Sequence, residues 1–236
     1  MYSYKEHVSY SHSDENGELR LGSIIDSFQD CSQMHSEVAG VSVERLWKMN
    51  AGWQIVSWQI VVNRYPKFGE EVIVGTWPNN FNGGVIGGRN YVMDTLEGER
   101  LVTANSGWVL VNLETHRVIP ISEEIASCYE LEPPAEMEKA SRKVALPKEM
   151  NLLEKILVPK RSRDTNGHMN NSYYVHFAGE HIPEDKKIRQ LRVEYKQGSY
   201  VGETLSLFGS WQDEKFYAAF RGEDEALRAG LEFSFF

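Results

Sequence analysis

A helix pattern followed by a series of strand patterns is the feature that most constrains the fold of this 236-residue chain. In residues 22–39, apolar side chains recur at i, i+3, i+4 and i+7. This spacing predicts one helix with a buried face, and the helix is expected to stop at Gly40. Patterns rich in Val, Ile, Trp and Tyr predict strands at Trp53–Val62, Glu71–Trp77, Gly88–Met93 and Leu101–Asn112. A helix followed by antiparallel strands is typical of an α+β unit.

The same order occurs again in the second half of the chain. Residues 171–178 predict a second helix. The strands predicted after it are Gln190–Gln197, Glu203–Ser210, Lys215–Phe220 and Leu231–Phe236. The phrase Trp58–Val74 is similar to Leu191–Leu207, because each contains a strand, a turn ending in Gly-Glu and a second strand. A duplicated module follows from these matches.

The predicted fold is therefore a long antiparallel sheet wrapped around a helix, made twice. We assign the first domain to residues 1–125 and the second to residues 151–236. Between them, the charged and proline-containing residues 126–150 predict a linker, with one short helical piece.

Composition limits the classes of function. Hydrophobic residues make up 41% of the chain, which is enough for one large core or two smaller ones. The formal net charge of −9 argues against non-specific nucleic-acid binding. No apolar run approaches 18 residues, and the polar first residues lack the pattern of a signal peptide. Cys31 and Cys128 form no paired framework, so we expect a reduced, cytoplasmic protein.

The segment DTNGHMNNSYYV, residues 164–175, carries the most chemistry. Asn170 or Asn171 is suited to cap the helix, and Gly167 allows a tight turn before it. Asp164, Asn166 and His168 then lie in the loop before a helix N-terminus, where free amides favour a developing oxyanion. A carboxylate beside such a site can activate water, and an imidazole can transfer protons near neutral pH.

A purely structural loop has the same residue pattern. Asp, Asn and Gly are turn formers, so the segment also fits a polar loop that only starts a helix. Gly83–Gly88, GGVIGG, lacks the GxGxxG spacing of a nucleotide loop and predicts a hairpin. The histidines show no HExxH or similar spacing, so we expect no metal and no cofactor.

Several segments resemble the acyl-ACP thioesterases, double hotdog enzymes of plants and bacteria. Asp-x-Asn-x-His-x-Asn-Asn at residues 164–171 is similar to their active-site segment. Trp53–Trp77, Ser106–Ile125 and Val193–Lys196 resemble, in the same order, three further segments of that family. The resemblance covers roughly residues 1–210. It implies a tandem (double) hotdog fold of the α+β class, and hydrolysis of an acyl-ACP thioester to a free fatty acid and ACP.

The resemblance also implies roles for single residues. Asp164 would activate water or attack the thioester, His168 would transfer protons, and Asn166 would position the carbonyl. The helix after Asn171 would offer amides to the oxyanion. Many family members carry a Glu and a Cys in the strand after this helix, and aligned on Glu194-Tyr195 those positions are Gly198 and Ser199 here. We therefore expect a carboxylate and histidine mechanism through water. Whether Gln197 or Ser199 holds that water stays open.

The expected partner is acyl carrier protein, which is acidic. Residues 139–196 contain thirteen Lys or Arg against seven Asp or Glu, and Lys160, Arg161 and Arg163 lie directly before the motif. These three are the candidate basic face, although a solvated charged stretch would have the same pattern. No nucleic acid and no membrane span are expected, and the protein would be a monomer or a homodimer.

Three alternatives are kept open: an acyl-CoA thioesterase on the same fold, a non-catalytic acyl-binding hotdog protein and, last, a hotdog dehydratase. Because the first module lacks Asp-x-Asn-x-His, its helix is predicted to border an acyl tunnel that Phe28, Met34 and Trp58 would shape. Glu194 is predicted to be a solvated residue without a catalytic role, since it faces away from Val193 and Tyr195 on its strand.

Overall fold

The computed structural model describes residues 1–81 and 83–236, which group into two compact units. The first unit contains residues 1–56 and 60–139, and the second contains residues 57–59 and 140–236. In the described chain no helix is long and apolar enough to cross a membrane.

The first unit is an antiparallel sheet with one long helix. Its helices are α1 (Leu21–Val38), α2 (Val43–Lys48) and α3 (Glu123–Ala126). Its strands are β1 (Tyr2–His7), β2 (Ala51–Val62), β3 (Glu71–Asn82), β4 (Ile86–Thr95), β5 (Arg100–Asn112) and β6 (Val118–Ile119). The strand order is β1-β3-β4-β5-β2, with β6 paired to β5. The pairs β1–β3, β3–β4, β4–β5 and β5–β6 are antiparallel.

The second unit has a similar arrangement. Its helix is α4 (Asn171–Gly179). Its strands are β7 (Asn151–Leu157), β8 (Ile188–Tyr195), β9 (Thr204–Gln212), β10 (Lys215–Arg221) and β11 (Leu227–Phe235). They form an antiparallel sheet in the order β8-β11-β10-β9-β7.

Helix α1 is held to its sheet by the apolar face that the spacing predicts. Phe28 is fully buried, and its ring centroid lies 5.1 Å from that of Tyr91 on β4. Burial of a Phe side chain contributes about 2–3 kcal/mol, so this contact is a main anchor of the helix. The helix ends where Gly40 adopts a φ of +75°, and the Val41 amide donates back to the Ser36 carbonyl at 2.8 Å. The predicted stop at Gly40 is thus confirmed.

Helix α4 lies on the second sheet through one tyrosine. Tyr174 is 2% exposed, and its ring packs edge-on against Phe220 of β10 and Tyr195 of β8, with centroids 5.1 and 5.6 Å away. The Tyr195 hydroxyl donates to the carbonyl of Asn171 at 3.0 Å. These contacts fix the first turn of α4, and therefore the loop that precedes it.

The predicted linker, residues 126–150, packs partly against the two units. It begins at the end of α3, and Tyr129 and Val144 within it are buried. Tyr129 belongs to a cluster of the first unit, and the Arg192 guanidinium of β8 donates to the carbonyls of Ser141 and Lys143 at 2.7 and 2.9 Å. The residues on each side of residue 139 therefore pack on the unit with which they are grouped.

Candidate active site

The loop before α4 is built around one carboxylate. Oδ1 of Asp164 accepts hydrogen bonds from the amides of Asn166 and His168, at 2.9 and 3.0 Å. The Asp164 amide in turn donates to the His168 carbonyl at 2.8 Å, and Gly167 adopts a φ of +84° that closes the turn. The three predicted site residues therefore share one tight loop, as their spacing predicts.

The two oxygens of Asp164 have different environments. Oδ1 holds the loop, whereas Oδ2 has no hydrogen-bond partner among the residues that the structure describes. Asp164 and His168 are half-buried and Asn166 is exposed. One carboxylate oxygen and one amide side chain thus remain open to a ligand.

Asn170 is the cap of α4. Its Oδ1 accepts from the amide of Ser172 at 3.0 Å and from the Ser172 hydroxyl at 3.2 Å, so the predicted Asx cap is confirmed at Asn170. The Tyr173 amide donates to the Asn170 carbonyl at 3.1 Å. The amides of Ser172 and Tyr173 are therefore occupied, and the expectation that they serve an oxyanion is wrong for these two.

Two residues that follow β8, Gly198 and Tyr200, lie against the ring of His168. The ring centroids of His168 and Tyr200 lie 4.7 Å apart. A Cβ atom added to Gly198 would lie 2.7 Å from Cδ2 of His168, a distance that Cβ contacts do not show. The imidazole thus occupies the space that a side chain at position 198 would need. This is the position at which the resemblance leads one to expect Glu.

Both polar neighbours of Gly198 form hydrogen bonds within the second unit. Ser199 is fully buried and shares a 2.8 Å hydrogen bond with the Tyr174 hydroxyl. Burial raises the pKa of Tyr174 to about 12, so this hydroxyl stays protonated at neutral pH. Gln197 Oε1 accepts from the Arg228 guanidinium at 2.9 Å, and Arg228 also pairs with Glu203. Both side chains are therefore tied to the frame of the second unit.

The prediction that Glu194 is solvated is wrong. Its side chain is 13% exposed, pairs with Lys196 and accepts from the Val144 amide at 3.2 Å. Strand alternation gave the correct face, but the segment around Val144 covers that face. Glu194 therefore has a structural contact.

A second copy of the loop lies in the first unit, where the sequence patterns had predicted no site. Oδ1 of Asp14 accepts from the amides of Asn16 and Glu18 at 2.9 and 2.8 Å, and Gly17 has a φ of +72°. The Asp14 amide donates to the Glu18 carbonyl at 2.8 Å, the same distance as in the second unit. The sequence does contain a signal for this second loop, because Asp-x-Asn-Gly occurs twice, 150 residues apart. A search for a motif that must include His does not find the first copy.

The two loops differ in the groups that could react or bind. Where the second loop has His168 bridged to Tyr200, the first has Glu18 bridged to Lys67. Short helical turns precede both loops, at Tyr10–His12 and Lys160–Ser162. The basic residues Lys160, Arg161 and Arg163 correspond to the uncharged Tyr10, Ser11 and Ser13.

Metal ligation finds no support in the described part of the chain. Among residues 1–81 and 83–236, no three His, Cys, Asp or Glu side chains are grouped so that they could hold a metal ion. The chemistry available at the second loop is that of a carboxylate, an amide and an imidazole.

Two units, each with an antiparallel sheet, a helix on it and the same loop before that helix, define a double hotdog protein. The family model of the acyl-ACP thioesterase N-terminal domain matches residues 1–129, more than half of the chain. The chain belongs to the acyl-ACP thioesterase family.

Known relatives agree with this assignment. The chain is 28% identical over 195 residues to the chloroplastic palmitoyl-acyl carrier protein thioesterase of Cuphea hookeriana, and the match covers 75% of this chain and 46% of that protein. The chain spans about half the length of the curated relatives it matches.

Solved structures show the same fold along the whole chain. An acyl-ACP thioesterase from Bacteroides thetaiotaomicron matches with a TM-score of 0.88 and 23% identity, covering 99% of this chain and 97% of that one. A 12:0-ACP thioesterase from Umbellularia californica matches with a TM-score of 0.86 and 18% identity, covering 100% and 96%. The predicted double hotdog fold is therefore confirmed.

Proposed function

We propose that this protein hydrolyses the thioester of acyl-ACP, releasing a free fatty acid and ACP in fatty acid biosynthesis. One observation carries the proposal: two loops of the same geometry occur in one chain, and the second alone combines the open carboxylate oxygen with an imidazole and a basic turn. Family membership supplies the substrate class.

The chemistry follows from the groups on the second loop. A water oxygen attacks the thioester carbonyl carbon, and its proton passes to Oδ2 of Asp164, the oxygen without a partner among described residues. The carbon–sulfur bond then breaks. The departing thiolate takes up a proton, which the His168 imidazole is suited to relay near neutral pH.

In this scheme the side chain of Asn166 binds the carbonyl oxygen of the thioester. Its side chain is exposed at the tip of the loop, and its backbone is held by Asp164. An amide N–H aimed at the carbonyl oxygen stabilises the charge that develops there. We assign this role to Asn166 because the Ser172 and Tyr173 amides are already bonded.

Acyl carrier protein is the proposed partner, and its proposed docking face is Lys160, Arg161 and Arg163. All three are exposed, and none forms an ion pair with a described residue. Free surface cations raise the association rate of an acidic partner, with a strong dependence on salt. A reducing, cytoplasmic compartment is proposed as well, which the thiols of Cys31 and Cys128 suit.

The chain offers a matched test of the carboxylate. Asp164→Asn keeps an oxygen that can accept both loop amides but removes the charge, and Asp14→Asn makes the same change in the first unit. With acyl-ACP as substrate and mass spectrometry of the ACP, we expect Asp164→Asn to lower kcat by at least about 100-fold, the range of one general base. Asp14→Asn should stay near wild type. Equal rates for all three proteins would refute the proposed role.

Carrier specificity needs a second measurement. Triple reversal of Lys160, Arg161 and Arg163 to Glu should raise KM for acyl-ACP at low salt and leave turnover of the matched acyl-CoA unchanged. Reversal of the exposed cations Lys186, Lys187 and Arg189 changes the charge equally and serves as control. If both triple variants raise KM alike, net charge and not a docking face is responsible.

The alternatives give different outcomes in the same assays. An acyl-CoA thioesterase would turn over the CoA ester at least as fast as acyl-ACP, and the comparisons do not favour it. A non-catalytic acyl-binding protein would show no hydrolysis in the wild type, and Asp164→Asn would keep its ligand. A ladder of acyl-ACP chain lengths then defines the preferred substrate.

A further inference from the structure

An open cleft in the first unit contains a buried arginine. The cleft lies between α1, through Ser32, Gln33 and Ser36, and the sheet. Arg89 on β4 points into it and is 7% exposed. Its other walls are aromatic: Trp53, Phe81, Trp108 and Tyr129. Phe28, Met34 and Trp58, which were predicted to shape an acyl tunnel, are not among the residues that line this cleft.

Arg89 has neutral hydrogen-bond partners. Its Nη1 donates to Nδ1 of His35 at 2.9 Å and to Oγ1 of Thr76 at 3.3 Å. Its guanidinium carbon lies 5.4 Å from the ring centroid of Tyr129. Among the described residues, no carboxylate lies within ion-pair distance of Arg89, and no acceptor lies against its Nε or Nη2.

His35 does not act as a second cation in this cleft. Burial and the adjacent Arg89 lower the pKa of His35 to about 4, so the imidazole is neutral at pH 7 and accepts the hydrogen bond. Glu132, whose charge acts on His35, pairs with the N-terminal amine. One uncompensated positive charge therefore lies in a largely apolar cleft, an expensive arrangement unless an anion balances it.

The cleft is also shaped before any ligand enters. The Tyr129 hydroxyl donates to Oγ of Ser36 at 2.9 Å, and Nε1 of Trp108 donates to Oγ of Ser106 at 2.7 Å. These bonds hold two aromatic walls in place. Preformed apolar walls with one convergent charged group are what a small-molecule site requires.

We propose that this cleft binds a small organic carboxylate with an apolar body, held by Arg89 between the aromatic walls. A carboxylate matches the planar guanidinium with two parallel hydrogen bonds, which the open Nε and Nη2 can supply. The aromatic walls suit an alkyl or aryl body. The site goes beyond the proposed activity, because it takes a free acid in the first unit and no thioester.

Hexanoate and hexanamide are matched probes, since they differ in charge and hardly in shape. Binding to the full-length protein is followed by calorimetry and by the fluorescence of Trp53 and Trp108. We expect hexanoate to bind at least about tenfold more tightly than hexanamide, the usual effect of a charge-assisted hydrogen bond. Equal affinities would overturn the proposal. So would inorganic phosphate binding as tightly as hexanoate, since phosphate has no apolar body.

Variants separate the site from a general effect of charge. Arg89→Gln should weaken hexanoate at least about tenfold. Arg64→Gln should not, because Arg64 is already paired with Glu70 and Glu99. If Arg89→Gln does not fold, Ser36→Leu fills the cleft and leaves Arg89 in place, and it should weaken hexanoate as well. Unchanged hexanoate affinity in either cleft variant would overturn the assignment.

Discussion

Gly198 controls the position of the proposed catalytic histidine, and Gly198→Ala tests this directly. An added Cβ would lie 2.7 Å from Cδ2, 3.0 Å from Cγ and 3.2 Å from Nε2 of His168. Carbon atoms in contact prefer about 3.5–4.0 Å, so the ring must move by about 1 Å. The φ of Gly198 lies outside the left-handed region, so the substitution brings no backbone strain.

A displacement of about 1 Å in a reacting group costs about 100-fold in rate, or about 2.7 kcal/mol in the activation barrier. We therefore expect Gly198→Ala to lower kcat for acyl-ACP by about 100-fold, with KM and the melting temperature near wild type. The resonances of the His168 ring, followed through a pH titration by NMR, should shift in the same variant.

Gly179→Ala is the control for this experiment. Gly179 is the last residue of α4, and a Cβ there would meet no atom within 4 Å. Its kcat should be unchanged and its stability slightly increased, since Ala favours a helix. A Gly198→Ala protein with kcat within about twofold of wild type would refute the reasoning, because the added Cβ would then not have displaced a reacting ring.

Two further predictions concern the paired loops and His35. Asp14→Ala and Asp164→Ala should each cost about 1–2 kcal/mol of stability, because each removes two hydrogen bonds to a half-exposed carboxylate, but only Asp164→Ala should abolish hydrolysis. Urea unfolding monitored by circular dichroism gives the first quantity, and unequal stability losses would contradict the equivalence of the loops. His35 has a folded-state pKa of about 4, below its unfolded value, so its contribution to stability is present above pH 6.5 and lost as the pH falls toward 4. The His35→Gln protein should lose less stability across this window, and identical pH profiles would contradict the buried neutral imidazole.

The sequence predicted those parts of the fold that local signals determine. The Asn170 cap and the stop at Gly40 depend on hydrogen bonds within a few residues, and both are confirmed. The central strands carry apolar alternation and were found within a few residues of their bounds. The hairpin expected at Gly83–Gly88 is the β3–β4 turn, with both flanking strands paired antiparallel.

Strands β1 and β7 were missed because they are the edges of their sheets. Residues 2–7 alternate exposed and half-buried side chains, and residues 151–157 are mostly exposed. Neither segment buries a continuous apolar face, so the strand conformation of each depends on its pairing, with β3 and with β9. Arg89 was missed for a similar reason. An arginine on a strand is usually exposed, and its burial depends on His35 and Tyr129, which are distant in sequence.

A comparison of the two loops distinguishes the residues that close the loop from the residues that could react. Asp14 and Asp164 make the same bonds, so loop closure alone accounts for the Asp-x-Asn-Gly pattern in both units. One difference is the ring of His168, which stands where the first loop has Glu18. In the second unit the imidazole of His168 fills the space above Gly198.

In the first unit the corresponding strand position is Tyr65, since the amides of Leu19 and Met169 donate to the carbonyls of the next residues, Pro66 and Ser199. Tyr65 is buried, and burial together with the carboxylates of Glu18 and Asp14 raises its pKa. In the first unit the strand thus carries Tyr65 and the loop carries Glu18. In the second unit the same two positions are Gly198 and His168. A Cβ at position 198 would meet the ring of His168, so the glycine in place of the expected Glu is what gives this imidazole its room.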